Sequence, residues 1–398
     1  MPEELPMKKY YLITGIVCLG VILVFSFLFD FWTPKNRRDT VSVGFIYEGD
    51  ISTPATYNFA LVEKELAAAY GSQVTLHVRS NVRSADVEDH LRDLVSKGCL
   101  LVLTNSRSTE VASLAAEYPE VQFCQISFQA PDGTALPENY HTFNGELWQA
   151  RYVSGVAAGL KLRSLIDRGE MGAEQALVGF VGGEETPEVL SGAAAFLLGV
   201  RSQVPEAKLR LKISGERDGY AANKAAAAAL LEDGCLVLAN HTDSNGPAAA
   251  CEESGRKVFF ISLNQNSQDI APTTSLLCIR VNYAPYVLGA VEAVFTGRKI
   301  EDVVPGRRHG LQDLSAGFDQ GWVEVLALSP HLAAEGTQDA VKELIRAMKK
   351  AGPDALARYF SGPWRAVAPG SGEDALDLSS GFRENAESSY PSFRYLIE

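Results

Sequence analysis

An α/β architecture of two similar lobes, each a parallel sheet covered by helices on both faces, follows from three features of the sequence. Short apolar runs alternate with helix-length segments from Val41 onward, the rhythm of a parallel sheet with crossover helices. The pattern also begins twice. VSVGFIYEGD at 41–50 leads through a Pro-containing turn into a helix ending near Tyr70, and VGFVGGEETPEVL at 178–190 opens in the same way. Finally, 398 residues suffice for two domains with a sizeable core.

One N-terminal transmembrane helix is expected to precede the lobes. Residues 10–29, opening at Tyr10 and closing at Phe29, carry no charge and are flanked by Lys8 and Lys9 before and Asp30, Lys35, Arg37 and Arg38 after. Thirteen Leu, Ile, Val and Phe side chains in this stretch favour insertion by roughly 4 to 8 kcal/mol. The run is longer than a signal-peptide core, and no small-residue cleavage site follows it. Residues 1–39 therefore read as a short cytoplasmic end, an uncleaved anchor and a linker, with the remainder extracytoplasmic at the cell membrane.

In the first lobe, 40–145, strands are expected at 41–47, 74–78, 99–103 and 121–127, with helices at 56–70, 85–97 and 109–117 between them. A long helix at 146–165, with Ser154, Gly155, Ala157, Ala158 and Gly159 suited to close packing, leads into the second lobe, 146–281. Strands there fall at 177–181, 208–213, 235–240 and 258–262, with helices at 220–232 and 247–254. The turn at 182–187 is chemically legible. Thr186 can cap the next helix, Pro187 suits its first position, and Glu184, Glu185 and Glu188 favour the positive end of the helix dipole, which assigns that acidity to structure. A strand at 276–281 and a helix at 285–296 return to the first lobe, completed by 282–330. A last helix at 339–351 belongs to the segment 331–368 that completes the second. Residues 369–398, rich in Ser, Gly and acid, read as a loosely ordered tail.

A net charge of −13 and the lack of a basic, aromatic-interleaved cluster exclude a nucleic-acid partner. Six cysteines and six histidines show no metal spacing, so no metal and no cofactor is expected, and the apolar runs around Cys99, Cys124, Cys235 and Cys278 favour buried free thiols. No phosphate loop, nucleophile elbow or zinc-protease motif occurs. No catalytic residue is assigned. In open parallel sheets ligands bind beyond the carboxyl ends of strands, which selects Asp50, Tyr57, Asn58, Asn105 and Ser127 in the first lobe and Asp218, Tyr220, His241, Asp243 and Asn264 in the second. Each has a structural alternative: Asp218 and Asp243 as helix caps or turn formers, Tyr57 as a staple on its own helix, and His241 as a lone histidine with no nucleophile partner. Tyr57 beside Asn58 is a pairing able to stack a planar ring and read its edge.

The order VGF, TYN, AEYPEVQFCQIS, ELWQARYVSGVAAGL, VGFVGG with PEVLSGAAAFLLGVRSQVPEAKL, NHTDSNGPAAACEESG, HGL and FSGPW resembles the basic membrane protein family of purine-nucleoside-binding lipoproteins. The resemblance implies a type I periplasmic-binding-protein fold whose two Rossmann-like lobes close on a nucleoside or nucleobase, for delivery to the permease and ATPase subunits of an ABC importer. It would make Tyr57 the stacking ring and Asn58 a base-edge contact. Family acids fall here on Pro54, Ser127, Asn264 and Asn266, and a family lysine falls near Ile279 and Arg280. Neutral groups bond sugar hydroxyls more weakly than carboxylates do, so the ligand class extends to a free base or another small ring. The alternative reading is a ligand-sensing receptor of the same fold, signalling through a partner protein.

Overall fold

The computed structural model describes residues 37–126, 136–369 and 375–397. The anchor expected at residues 10–29 lies outside them. Among the described residues no helix is long and apolar enough to cross a membrane.

In lobe 1, β1 (Val41–Ile46) is buried at five of its six positions, as befits a central strand covered on both faces. β2 (Val74–Arg79), β3 (Cys99–Thr104), β4 (Gln122–Ile126) and β5 (Tyr140–Gly145) join it in parallel. Between them run α1 (Pro54–Tyr70), α2 (Val87–Ser96) and α3 (Glu110–Glu117). Phe123 and Tyr140 pack on one face with Leu91 and Leu114 of α2 and α3, and Phe45, Leu101 and Phe143 pack on the other with Phe59 of α1.

The chain then crosses to lobe 2 through α4 (Leu147–Asp167). β6 (Leu177–Gly182), β7 (Lys208–Ile213), β8 (Val237–His241), β9 (Phe259–Leu263) and β10 (Ser275–Val281) form the second parallel sheet, connected by α5 (Pro187–Arg201), α6 (Tyr220–Glu232) and α7 (Gly246–Glu253). The small residues expected to let α4 pack closely do so. A Cβ on Gly155 would stand 2.1 Å from the Phe196 carbonyl, and one on Gly199 2.2 Å from that of Tyr152, so α4 and α5 touch backbone to backbone.

α8 (Ala284–Thr296) and α9 (Ile300–Val303) return to lobe 1, whose sheet gains β12 (Asp313–Ala316), parallel to β5, and the antiparallel edge strand β11 (Arg307–His309). The third crossing leads to β13 (Val323–Leu328), which pairs antiparallel with β10. The segment completing lobe 1 therefore ends before 330, because β13 belongs to lobe 2. The crossings are packed together: a Cβ on Gly145 would lie 2.6 Å from Val281 Cγ1, and Asn282 N–H donates to the Trp322 carbonyl at 2.8 Å.

α10 (Thr337–Lys350) buries Val341 and Met348 against the α4 core, and α11 (Pro353–Ala357) leads into the C-terminal segment. The loosely ordered tail expected over 369–398 is not what the described residues 375–397 form. β14 (Arg365–Val367), β15 (Ala375–Asp377) and β16 (Leu396–Ile397) form a small antiparallel sheet, and Leu378 and Phe393 are fully buried. The physical reason is a set of spaced anchors, Leu378, Phe382, Phe393 and Tyr395, whose apolar burial on α5 and Phe360 outweighs the polar residues between them. The cysteines at 99, 124, 235, 251 and 278 are free and buried, and burial pushes the Cys124 and Cys235 thiols up to about 12.

Candidate ligand-binding site

A cavity of about 390 Å³ lies at the carboxyl ends of both sheets, walled by both lobes and by the C-terminal segment. Parallel strands place their following loops at one edge, which is why residues distant in sequence converge there. Lobe 1 contributes Ala55 and Phe59 of α1, Asn105 and Arg107 after β3, and Tyr283 at the second crossing. Lobe 2 contributes Glu184, Glu188, Arg217, His241, Asp243 and Asn264.

Several of these side chains join the lobes. Asp243 Oδ1 accepts a hydrogen bond from the Ala55 backbone N–H at 2.6 Å, and Arg107 of lobe 1 meets Glu184 at 2.9 Å and Glu188 at 3.7 Å. Arg217 of lobe 2 stands 3.6 Å from Glu48. These contacts describe a closed cleft. Burial holds the Asp243 carboxyl above the ordinary carboxylate range, although the Ala55 N–H, Arg217 and Thr53 oppose the shift.

His241 is held neutral. Burial first, and then Arg151, Arg107 and Arg217, keep its pKa well below the usual value, and its buried Nδ1 has no partner among the described residues. A neutral imidazole at the cavity wall offers one donor and one acceptor nitrogen to a polar ring. Asn264 sits at the end of β9 in the left-handed region, with φ of 66°, which Asn tolerates. Its Oδ1 accepts from Val281 N–H and Asn58 Nδ2, each at 3.4 Å. Asn105 Oδ1 accepts from Glu48 N–H at 2.8 Å, tying the loops after β1 and β3 together.

Of the residues selected from sequence, Asn105, His241, Asp243 and Asn264 line the cavity. Asn58 is buried beside it, its Nδ2 donating to the Val281 carbonyl at 2.8 Å across the second crossing. Tyr57 lies outside the lining with 39% of its surface exposed, because the inward face of α1 is set by Ala55 and Phe59. Asp50 caps its own turn by accepting from Ser52 N–H at 2.8 Å. Asp218 is exposed, as is Tyr220 at the start of α6. Arg280 pairs with Glu324 at 2.8 Å on the facing strand. Ser127 lies outside the described residues.

Sequence reasoning missed Arg107, Tyr283 and the C-terminal wall, and it read the acidity at Glu184 and Glu188 mainly as structural, at the start of a helix. It also missed Arg151 of α4, a fully buried guanidinium that donates to the Asn240 carbonyl at 2.6 Å and lies over the Phe180 ring at 5.0 Å. Burial lowers its pKa to about 9. Nothing in the local sequence marks that arginine as buried.

Two parallel-sheet lobes, crossed three times by the chain, with a cleft lined from both sides, have the periplasmic-binding-protein fold. Its fold is similar to solute-binding proteins of ABC transporter systems from Conexibacter woesei, with a TM-score of 0.60 at 19% identity over 78% of this chain and 96% of that one, and from Aeropyrum pernix, with 0.60 at 17% over 84% and 95%. The chain belongs to the PnrA-like family of ABC transporter substrate-binding proteins, whose family model matches residues 40–353. It is also similar to a purine-binding protein of Brucella abortus, 28% identical over 287 residues, which are 69% of this chain and 75% of that one. The family binds substrate for ABC transport and is not one of enzymes.

Proposed function

We propose that the protein captures a purine nucleoside, a nucleobase or a related small ring in the interlobe cavity and presents it to the permease and ATPase of an ABC importer. The observation carrying this reading is the cavity itself. At about 390 Å³ it falls within the ~300–1,000 Å³ range of small-molecule sites, and it is lined by aromatic rings together with neutral His241, Asn105 and Asn264, groups suited to the edge of a polar ring. Similarity to a purine-binding protein supports the ligand class. Lobe closure about the three crossings traps the ligand. The uncharged stretch from Tyr10 to Phe29 supports an extracytoplasmic domain on a single-pass membrane anchor.

Native mass spectrometry of the gently purified protein tests the ligand class. A one-to-one complex whose released mass is that of a purine supports it. A released sugar or amino acid would sink the purine reading and leave the fold untouched.

A further inference from the structure

The chain beyond the family-matched residues returns to the cleft. Residues between Phe382 and Pro391 form one wall of the cavity and bridge the two lobes. On the lobe 2 side, Phe382 and Phe393 stack edge-on at 5.0 Å within the aromatic cluster around Phe360. Glu384 Oε2 accepts from Ser392 N–H at 2.5 Å and from the Ser392 hydroxyl at 2.7 Å. On the lobe 1 side, Ser389 N–H donates to Asp313 at 2.6 Å, and the Ser389 carbonyl accepts from Asn144 Nδ2 at 3.1 Å. The Ala386 carbonyl faces His309 Nδ1 at 3.1 Å.

Glu384 is the informative residue in this wall. One carboxylate oxygen is fully occupied by Ser392, which fixes the side chain. The other, Oε1, takes a long bond of 3.4 Å from Ser191 Oγ, the Phe393 backbone N–H also reaches the carboxylate, and both Glu384 and Ser191 line the cavity. At 3.4 Å the Ser191 bond is weak, so Oε1 can still accept a better-placed donor on a side chain already held in place. Preorganisation of that kind favours a ligand bearing N–H or O–H groups.

We propose that this C-terminal wall is part of the ligand site, and that Glu384 accepts a hydrogen bond from an N–H or O–H group of the bound ring. Selectivity would then be set in part by a segment outside the family-matched region. The inference rests on the interlobe cavity being the ligand site.

Two measurements on the full chain test it. In hydrogen exchange without ligand, the amides of Ser389 and Ser392 are expected to be protected; exchange at the rate of free chain would remove the wall. In calorimetric titrations with adenine, adenosine and guanosine, Glu384→Gln is expected to weaken the tightest of the three by roughly tenfold or more, as for a lost hydrogen bond to a charged group. The unliganded melting temperature is expected to stay close to wild type. Unchanged affinity for all three would overturn the role of Glu384. If the wild-type chain binds none of them, the purine reading fails, and protected or free exchange at Ser389 and Ser392 still decides for or against the wall.

Discussion

The two lobes open with the same strand, turn and helix, yet the helix starts are completed differently. In lobe 2 the turn is self-contained: Pro187 begins α5, Thr186 Oγ1 accepts from Val189 N–H at 3.4 Å, and Glu188 sits in the first turn. In lobe 1, Pro54 begins α1 in the same way, but Thr53 makes no side-chain cap and the first turn holds no acid. Its cap comes from the other lobe, as Asp243 accepts from Ala55 N–H at 2.6 Å. One helix start is finished by its neighbours in sequence, and the other only by lobe closure. The positive end of α1 thus couples local helix stability to the closed cleft.

Breaking the cross-lobe cap is expected to have the largest effect. Asp243→Ala removes a buried acceptor and costs about 0.5–2 kcal/mol, the range for a lost cap, and it favours the open state. Small-angle scattering should show a larger radius of gyration than wild type. A radius matching wild type would mean that Asp243 does not hold the lobes together.

Thr186→Ala breaks the self-contained start instead. With a cap bond as long as 3.4 Å, a loss of about 0.5–1 kcal/mol is expected, read as a lower denaturation midpoint with the scattering profile unchanged. A wider profile would erase the contrast between the two helix starts.

Asp243→Asn sharpens the comparison through pH. The native carboxyl is held above its unfolded value by burial, against Arg217 and with Asp218 adding to the rise. An acid raised in the folded state contributes its stability at low pH and loses it as pH rises through the interval from the unfolded value, about 3.9, to the raised native one. Asn keeps the acceptor for Ala55 N–H without the charge. Its melting temperature relative to wild type should therefore rise between pH 4 and pH 7; a falling difference would show that the charged cap is favoured.

Arg107→Ala is expected to be the mildest change. Its pairs with Glu184 and Glu188 are partly exposed, so a loss of about 0–1 kcal/mol that shrinks with added salt is expected. An effect insensitive to salt would place the arginine's role elsewhere than in that pairing.

The sheets were legible in the sequence where burial is apolar on both faces, as in β1 and β6. β5 was not, because its polar side chains are satisfied by distant partners: His141 reaches Glu301 at 2.5 Å and Gln122 at 2.8 Å. The strand-end rule located the loops that bear Asn105, His241, Asp243 and Asn264. It did not give side-chain direction, and so it included Tyr57 and Tyr220, which are exposed and lie outside the cavity lining. The C-terminal wall escaped because average composition conceals a few widely spaced aromatic anchors. Glu188 sits in the first turn of α5 and also faces Arg107, as does Glu184 before the helix, two roles that sequence position does not separate.

Calorimetric titration of wild type and Asp243→Ala, side by side, with adenine, adenosine, guanosine and inosine tests capture by lobe closure most directly. The account predicts one-to-one binding of at least one of these rings by wild type and markedly weaker binding by the variant. Absence of heat with every ring, or equal affinities for the two proteins, would contradict it.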